Sequence, residues 1–223
     1  MRWVSACLVG LCWLLSSAPA EASLELRGGA ELDLRLARIL SASLEQELRY
    51  DGRPGEPQQW LSSVELGLRP QKFFRLELGY RISRRSLGNT VELRHRLWLA
   101  ARLRARLGPL RLTFRERYQL RPATTFDELR QHLVSKATLA LRSHSLPFEP
   151  SCWVELFARL PKGSSPFLAD KLRFGLGLML PLGLCELSLE GQLERSLRQP
   201  EEPLLPILSM QLEFEMDLRR SRR

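Results

Sequence analysis

The stretch VELRHRLWLAARLRARL, Val91 to Leu107, decides the fold. Its leucines, alanines and arginines are good helix formers, so propensity alone reads it as a helix. The order of the residues says otherwise. Val91, Leu93, Leu97, Leu99, Ala101, Leu103, Ala105 and Leu107 occupy every second site, interrupted only by His95, while Glu92, Arg94, Arg96, Trp98, Arg102, Arg104 and Arg106 fall between them. A helix would carry arginines into its apolar stripe. A strand puts the two sets on opposite faces, so this segment is predicted as a strand.

The same period of two continues on both sides. Upstream it runs through Leu32, Leu34 and Leu36, then Leu40 to Tyr50, Trp60 to Leu68, and Phe74 to Ile82. Downstream it runs through Leu110 to Leu120, Val154 to Leu160, Leu172 to Leu182, Leu187 to Leu193, and Leu208 to Met216. Leu133 to Leu141 fits a strand, with a helix left open. The segments run roughly 12 residues, about twice a usual globular strand; a tilted strand crossing a bilayer needs about 9–11.

The breaks alternate in length as well. Short ones fall near Ala37-Arg38, Pro70-Gln71-Lys72, Gly108-Pro109 and Gly183; longer polar ones fall at 51–59, 83–89, 122–128, 161–170 and 198–203. Tight turns at one rim and longer loops at the other are the pattern of outer-membrane barrels. Ser143 to Pro150 is longer than a tight-turn position predicts. The count comes to about eleven segments, whereas single-chain bacterial barrels have an even number. The expected resolution is that Leu24 to Leu36, with Gly28-Gly29 inside it, is two short pieces or not a full strand.

The first residues read as an export signal: Arg2, an apolar run from Trp3 to Leu15, then small residues through Ala22. Residues 1–22 are expected to be removed by cleavage after Ala20 or Ala22, leaving a barrel domain over 23–218 and a basic tail over 219–223. The apolar run falls short of the roughly 20 residues of a spanning helix. Net charge is +9, almost all from arginine scattered along the chain. Scattered arginine in an exported protein argues against a nucleic-acid partner. Cys152 and Cys185 sit two strands apart, about 9–10 Å at the strand spacing, too far for a disulfide. Two free thiols on the outward apolar face are expected.

Alternation alone does not say which face meets water. A soluble barrel would turn the leucines inward; a membrane barrel turns them to lipid and the charges to the lumen. Segment length, loop asymmetry and the export signal favour an all-β, antiparallel up-and-down transmembrane-type barrel of about 10–12 strands. Against that stand thin aromatic girdles, with three tyrosines, and the terminal Arg219-Arg220-Ser221-Arg222-Arg223.

The ordered motifs His95-Arg96, Arg115-Glu116-Arg117, Arg142, Glu155-Leu156-Phe157, and Arg173 with Gly175 and Gly177, followed by a final apolar strand, resemble the bacterial family catalogued as domain of unknown function 2490. The chain departs from the pattern in its basic tail and in lacking a tryptophan near the mature N-terminus. The resemblance implies an outer-membrane-type barrel with no assigned activity.

The inward candidates are Glu92, Arg94 and Arg96, expected beside Arg115 and Arg117, with Glu155 and Arg173 further round. Arginine and glutamate so placed form bidentate ion pairs and plug a narrow lumen, or line a selective path. Three histidines are candidate general bases for a membrane lipid hydrolase. His95 is on the apolar face, His132 begins a polar face, and His144 lies in a turn, none with a carboxylate at a telling spacing. No phosphate loop, metal cluster or Cys-x-x-Cys is present, so no cofactor and no enzymatic activity are expected. The partners expected are outer-membrane lipid and the machinery that assembles barrels. The runner-up roles are a membrane-embedded lipid hydrolase and a soluble periplasmic carrier of apolar ligands.

Overall fold

The computed structural model describes residues 24–51, 59–87, 90–122, 129–143, 146–160, 168–199 and 201–218. The expected signal segment, the basic tail and His144 lie outside the described residues. Among the described residues eleven strands follow one another. They are β1 (Glu25–Arg35), β2 (Leu40–Asp51), β3 (Gln59–Gln71), β4 (Phe74–Leu87), β5 (Thr90–Leu107), β6 (Leu110–Pro122), β7 (Leu129–Leu141), β8 (Glu149–Arg159), β9 (Leu168–Pro181), β10 (Cys185–Ser196) and β11 (Leu205–Asp217). Neighbours in sequence pair antiparallel, and β1 pairs with β11 in parallel to close the barrel.

That closure corrects one expectation. β1 is a full strand, paired along its whole length to β2 on one edge and β11 on the other. An odd number of alternating strands leaves the first and last running the same way. Parallel hydrogen bonding is only slightly weaker per residue than antiparallel, so the sheet closes without discarding β1. Gly28 and Gly29 do not break it: Gly29 lies where a Cβ would come 2.8 Å from the carbonyl of Gln46 on β2, a close approach that glycine permits.

The strands are 11 to 18 residues long, the longest being β5. The Val91–Leu107 segment is wholly strand, and β7 is strand with no helical turn. The tight turns at 108–109 and 182–184 place Gly108 and Gly183 at φ of 61° and 75°, a left-handed backbone that side chains disfavour. The expected long loop at 83–89 is shorter than its sequence suggested. Arg84, Arg85 and Ser86 lack an apolar alternate, yet they pair with Leu93, Glu92 and Val91, so the β4–β5 pairing continues to Leu87 and Thr90.

Inter-strand register tilts the strands steeply. A line of opposed residues runs Arg35, Ser41, Gly67, Glu77, Ala100, Arg117, Val134, Phe157, Lys171, Ser196. It starts at the last residue of β1, on the tight-turn rim, and ends at the last residue of β10, on the long-loop rim. Opposed residues therefore climb the barrel as they go round it, as closure with tilted strands requires.

The leucine rows face outward. Leu99, Phe174 and Met210 are each more than half exposed, and every strand carries at least one large apolar side chain more than a third exposed. The interior holds Leu61, Trp98, Val134, Trp153, Phe157 and Ile207 among charged side chains. Two indoles are seated by glycine: a Cβ at Gly79 would lie 2.1 Å from Trp98, and one at Gly175 would lie 2.3 Å from Trp153. Cations cover the inward rings, Lys136 at 4.0 Å from Trp153, and Lys171 and Arg173 at 4.7 Å from Phe157. Outward polar groups are satisfied across strands. Ser135 donates to Glu116 at 2.9 Å and Ser62 to Gln46 at 2.8 Å.

Candidate functional site

Because inward positions alternate with outward ones, each strand delivers a column of polar side chains to the lumen, and the register decides which columns meet. Glu77, the fourth residue of β4 and on its inner face, is completely buried. Arg102 and Arg115 approach it at 2.7 Å and Arg75 at 3.4 Å. The carboxylate oxygens lack directed hydrogen bonds, so Glu77 is held by charge from three sides. Glu65 joins the knot, 3.0 Å from Arg115 and 3.3 Å from Trp98 Nε1. Glu155 forms a second knot with Arg117 at 3.6 Å and Arg173 at 3.5 Å. Arg173 passes on to Glu194, which also accepts from Lys171 at 3.1 Å.

The candidate residues therefore separate into three groups. Arg117, Glu155 and Arg173 do meet. Arg115 belongs to the Glu77 knot instead. Glu92, Arg94 and Arg96 are not beside Arg115 and Arg117, because Arg115 stands opposite Arg102 and Arg117 opposite Ala100. They line the long-loop mouth, where Arg94 pairs with Glu92 at 2.6 Å. The sequence does not mark Glu77, which is fully buried, or Glu65, Arg75 and Arg102 around it as a site. Parity put each of them inside, but nothing in the sequence says which inward columns are neighbours in height.

The mouth is a cavity of about 630 Å³ lined by Arg81, Arg94, Arg96, Arg121, Arg130, His132 and Arg159, with Glu92 and Asp170 as its carboxylates. Asp170, beside the β8–β9 irregularity, gathers His132 at 3.6 Å, Arg159 at 3.7 Å, and Arg198. His132 Nδ1 is buried without a partner. His95 lies outward as its parity predicts, its Nδ1 2.6 Å from the Tyr80 hydroxyl.

One row of opposed residues links the two ends of the lumen. Glu186 faces Glu213, which faces Glu31, which faces Glu45; Ser63 follows, then Arg81 and Arg96. On the next strand the row reaches Arg121, which faces Arg130. Acidic side chains occupy its tight-turn end and arginines its long-loop end. Arg81 joins the blocks, donating to Ser63 and to Glu45 at 2.7 Å each.

Among the described residues no cluster of three or more His, Cys, Asp or Glu has the arrangement of a metal site. Cys152 and Cys185 are free thiols, on β8 and β10, outward as expected.

No curated protein matches the chain. The profile of a family described as a protein of unknown function (DUF2490) matches residues 28–186, from within β1 to the start of β10. With that match over more than half its length, and with the arginine and glutamate motifs standing on the strands of a closed barrel, the chain belongs to the DUF2490 family.

Proposed function

We propose that this protein is an outer-membrane barrel, structural or a narrow passage in role and not an enzyme, whose lumen is closed by its own ion pairs. The observation that carries the reading is the uniform direction of the leucine rows. Large apolar side chains cover the outside of every strand, an arrangement costly in water and favourable in lipid. The charged interior supports the same reading, because a soluble carrier of apolar cargo needs its leucines inside, where this barrel holds arginine and glutamate. The strand lengths suit a bilayer. The Glu77 and Glu155 knots stand inside the lumen, and an ion passing beside them has to break buried pairs.

Envelope fractionation, with heat-modifiable gel mobility of the detergent extract, tests the location. The protein is expected in the outer-membrane fraction, and recovery in the aqueous periplasmic fraction without detergent would refute the reading. Planar-bilayer recording tests the closure. The native protein is expected to give no steady conductance, and the variant Glu77→Ala/Arg102→Ala/Arg115→Ala a measurable one. A steady open-pore current from the native protein would show that the knots do not close it.

A further inference from the structure

The ion pairs of the lumen use up its carboxylates unevenly, and at the long-loop mouth Arg96 and Arg121 have no carboxylate within ion-pair distance among the described residues. Four arginines stand there in one row over four adjacent strands, Arg81 opposite Arg96 and Arg121 opposite Arg130, with the middle two flanking the Leu97–Leu120 pair. Like charges directly opposite each other destabilise a sheet. Elsewhere in the barrel such crowding is relieved by glutamate, as Glu77 relieves Arg75, Arg102 and Arg115.

In the mouth that relief is already committed. Glu92 is taken by Arg94, Asp170 by Arg159 and Arg198, and Arg81 reaches down to Glu45. Among the described residues neither Arg96 nor Arg121 has a carboxylate within ion-pair distance; Arg121 donates only to the Gln119 side-chain carbonyl at 3.2 Å, and its Nε is buried without a partner. The four charged groups that act most strongly on Arg96 are Arg121, Arg81, Arg117 and Arg49, all cations. Around them is an open cavity of about 630 Å³, within the roughly 300–1,000 Å³ range of small-molecule sites.

We infer that this mouth is a binding site for a phosphate-bearing anion, with Arg96 and Arg121 as its anchors. Guanidinium groups present planar pairs of N–H donors that match phosphate oxygens two at a time. A doubly charged phosphate between Arg96 and Arg121 neutralises both guanidinium groups. The rim position admits either of two sources, a phosphorylated small molecule or the phosphate of a lipid headgroup. The site does not depend on the lumen being closed or on which compartment holds the barrel.

The test uses the full chain purified in detergent. Inorganic pyrophosphate is titrated by calorimetry, and dihexanoyl phosphatidic acid is titrated in parallel as the headgroup source. Saturable binding of at least one is expected, weakened about tenfold or more in Arg96→Gln and in Arg121→Gln, and less in Arg96→Lys, which keeps the charge but loses the fork. Lys72→Gln, on the opposite rim, is expected to bind as the native chain does. Stronger binding of pyrophosphate identifies a soluble ligand, and stronger binding of phosphatidic acid a headgroup. Heat-modifiable mobility confirms that each variant is folded. If a glutamine variant fails to fold, protection of Arg96 and Arg121 from phenylglyoxal by pyrophosphate in the native protein replaces it. Absence of saturable binding of both probes, binding undiminished in the two glutamine variants, or absence of protection overturns the inference.

Discussion

Replacing Glu77 by glutamine keeps the size of the side chain and removes the charge that three arginines share. Glu77 is fully buried, while Arg75, Arg102 and Arg115 are between 12% and 25% exposed, so solvent screens the cluster only in part. Removing one partner of a buried ion group costs about 3–5 kcal/mol. Partial exposure of the arginines and the remaining Glu65 place the expected loss near the lower end, about 3 kcal/mol. For a chain of this length that corresponds to roughly 6–12 °C in thermal midpoint. The double variant Glu77→Gln/Arg102→Gln is expected to recover part of the loss, because it deletes one of the stranded cations. Arg35→Gln breaks a pair whose side chains are about half exposed and is expected to cost below about 1 kcal/mol. The assay is loss of the fast-migrating folded band on heating in detergent, scored against temperature. A midpoint for Glu77→Gln within about 2 °C of the native protein, or no lower than that of Arg35→Gln, would refute the view that this knot organises the lumen.

Other consequences follow from the two faces of the wall. Gly79→Ala drives a Cβ into the Trp98 ring, and Gly79→Ala is expected to lower stability by about 1–3 kcal/mol, read from urea unfolding, with Trp98→Leu restoring most of it; an unchanged midpoint would show that the indole is not seated on the glycine. Leu99 is 56% exposed at the middle of β5, so Leu99→Arg is expected to cost about 2–4 kcal/mol in vesicles; a change below about 0.5 kcal/mol would mean that this face meets water. Cys152 is exposed on the outward face, so in intact proteoliposomes it is expected to react with an apolar maleimide and resist a charged one, and equal labelling by both would place it in solvent.

Much of the architecture is legible from period alone. The alternation at Val91 to Leu107 identifies a strand against its own helical propensity and sorts Glu92, Arg94 and Arg96 to one side and His95 to the other. The glycines at 108 and 183 mark tight turns because only they adopt the left-handed backbone there without strain. The structure puts the leucines outside, where period alone is silent, because a closed lumen this narrow holds few side chains and is filled by those that pair with one another.

What the sequence by itself determined is most of the strands, which residues share a face, and the family; what the tertiary structure alone decided is that β1 is a full strand joined in parallel to β11, and the height at which each charge meets its neighbours. The physical reason is that strand period is two residues. A register slip of two leaves every side chain on its own face, so alternation is blind to the stagger that brings Arg115 to Glu77, brings Arg117 to Glu155, and lifts Arg96 away from both into the mouth. The stagger is fixed only when hydrogen bonding closes the sheet on itself, because closure ties the tilt of every strand to all the others.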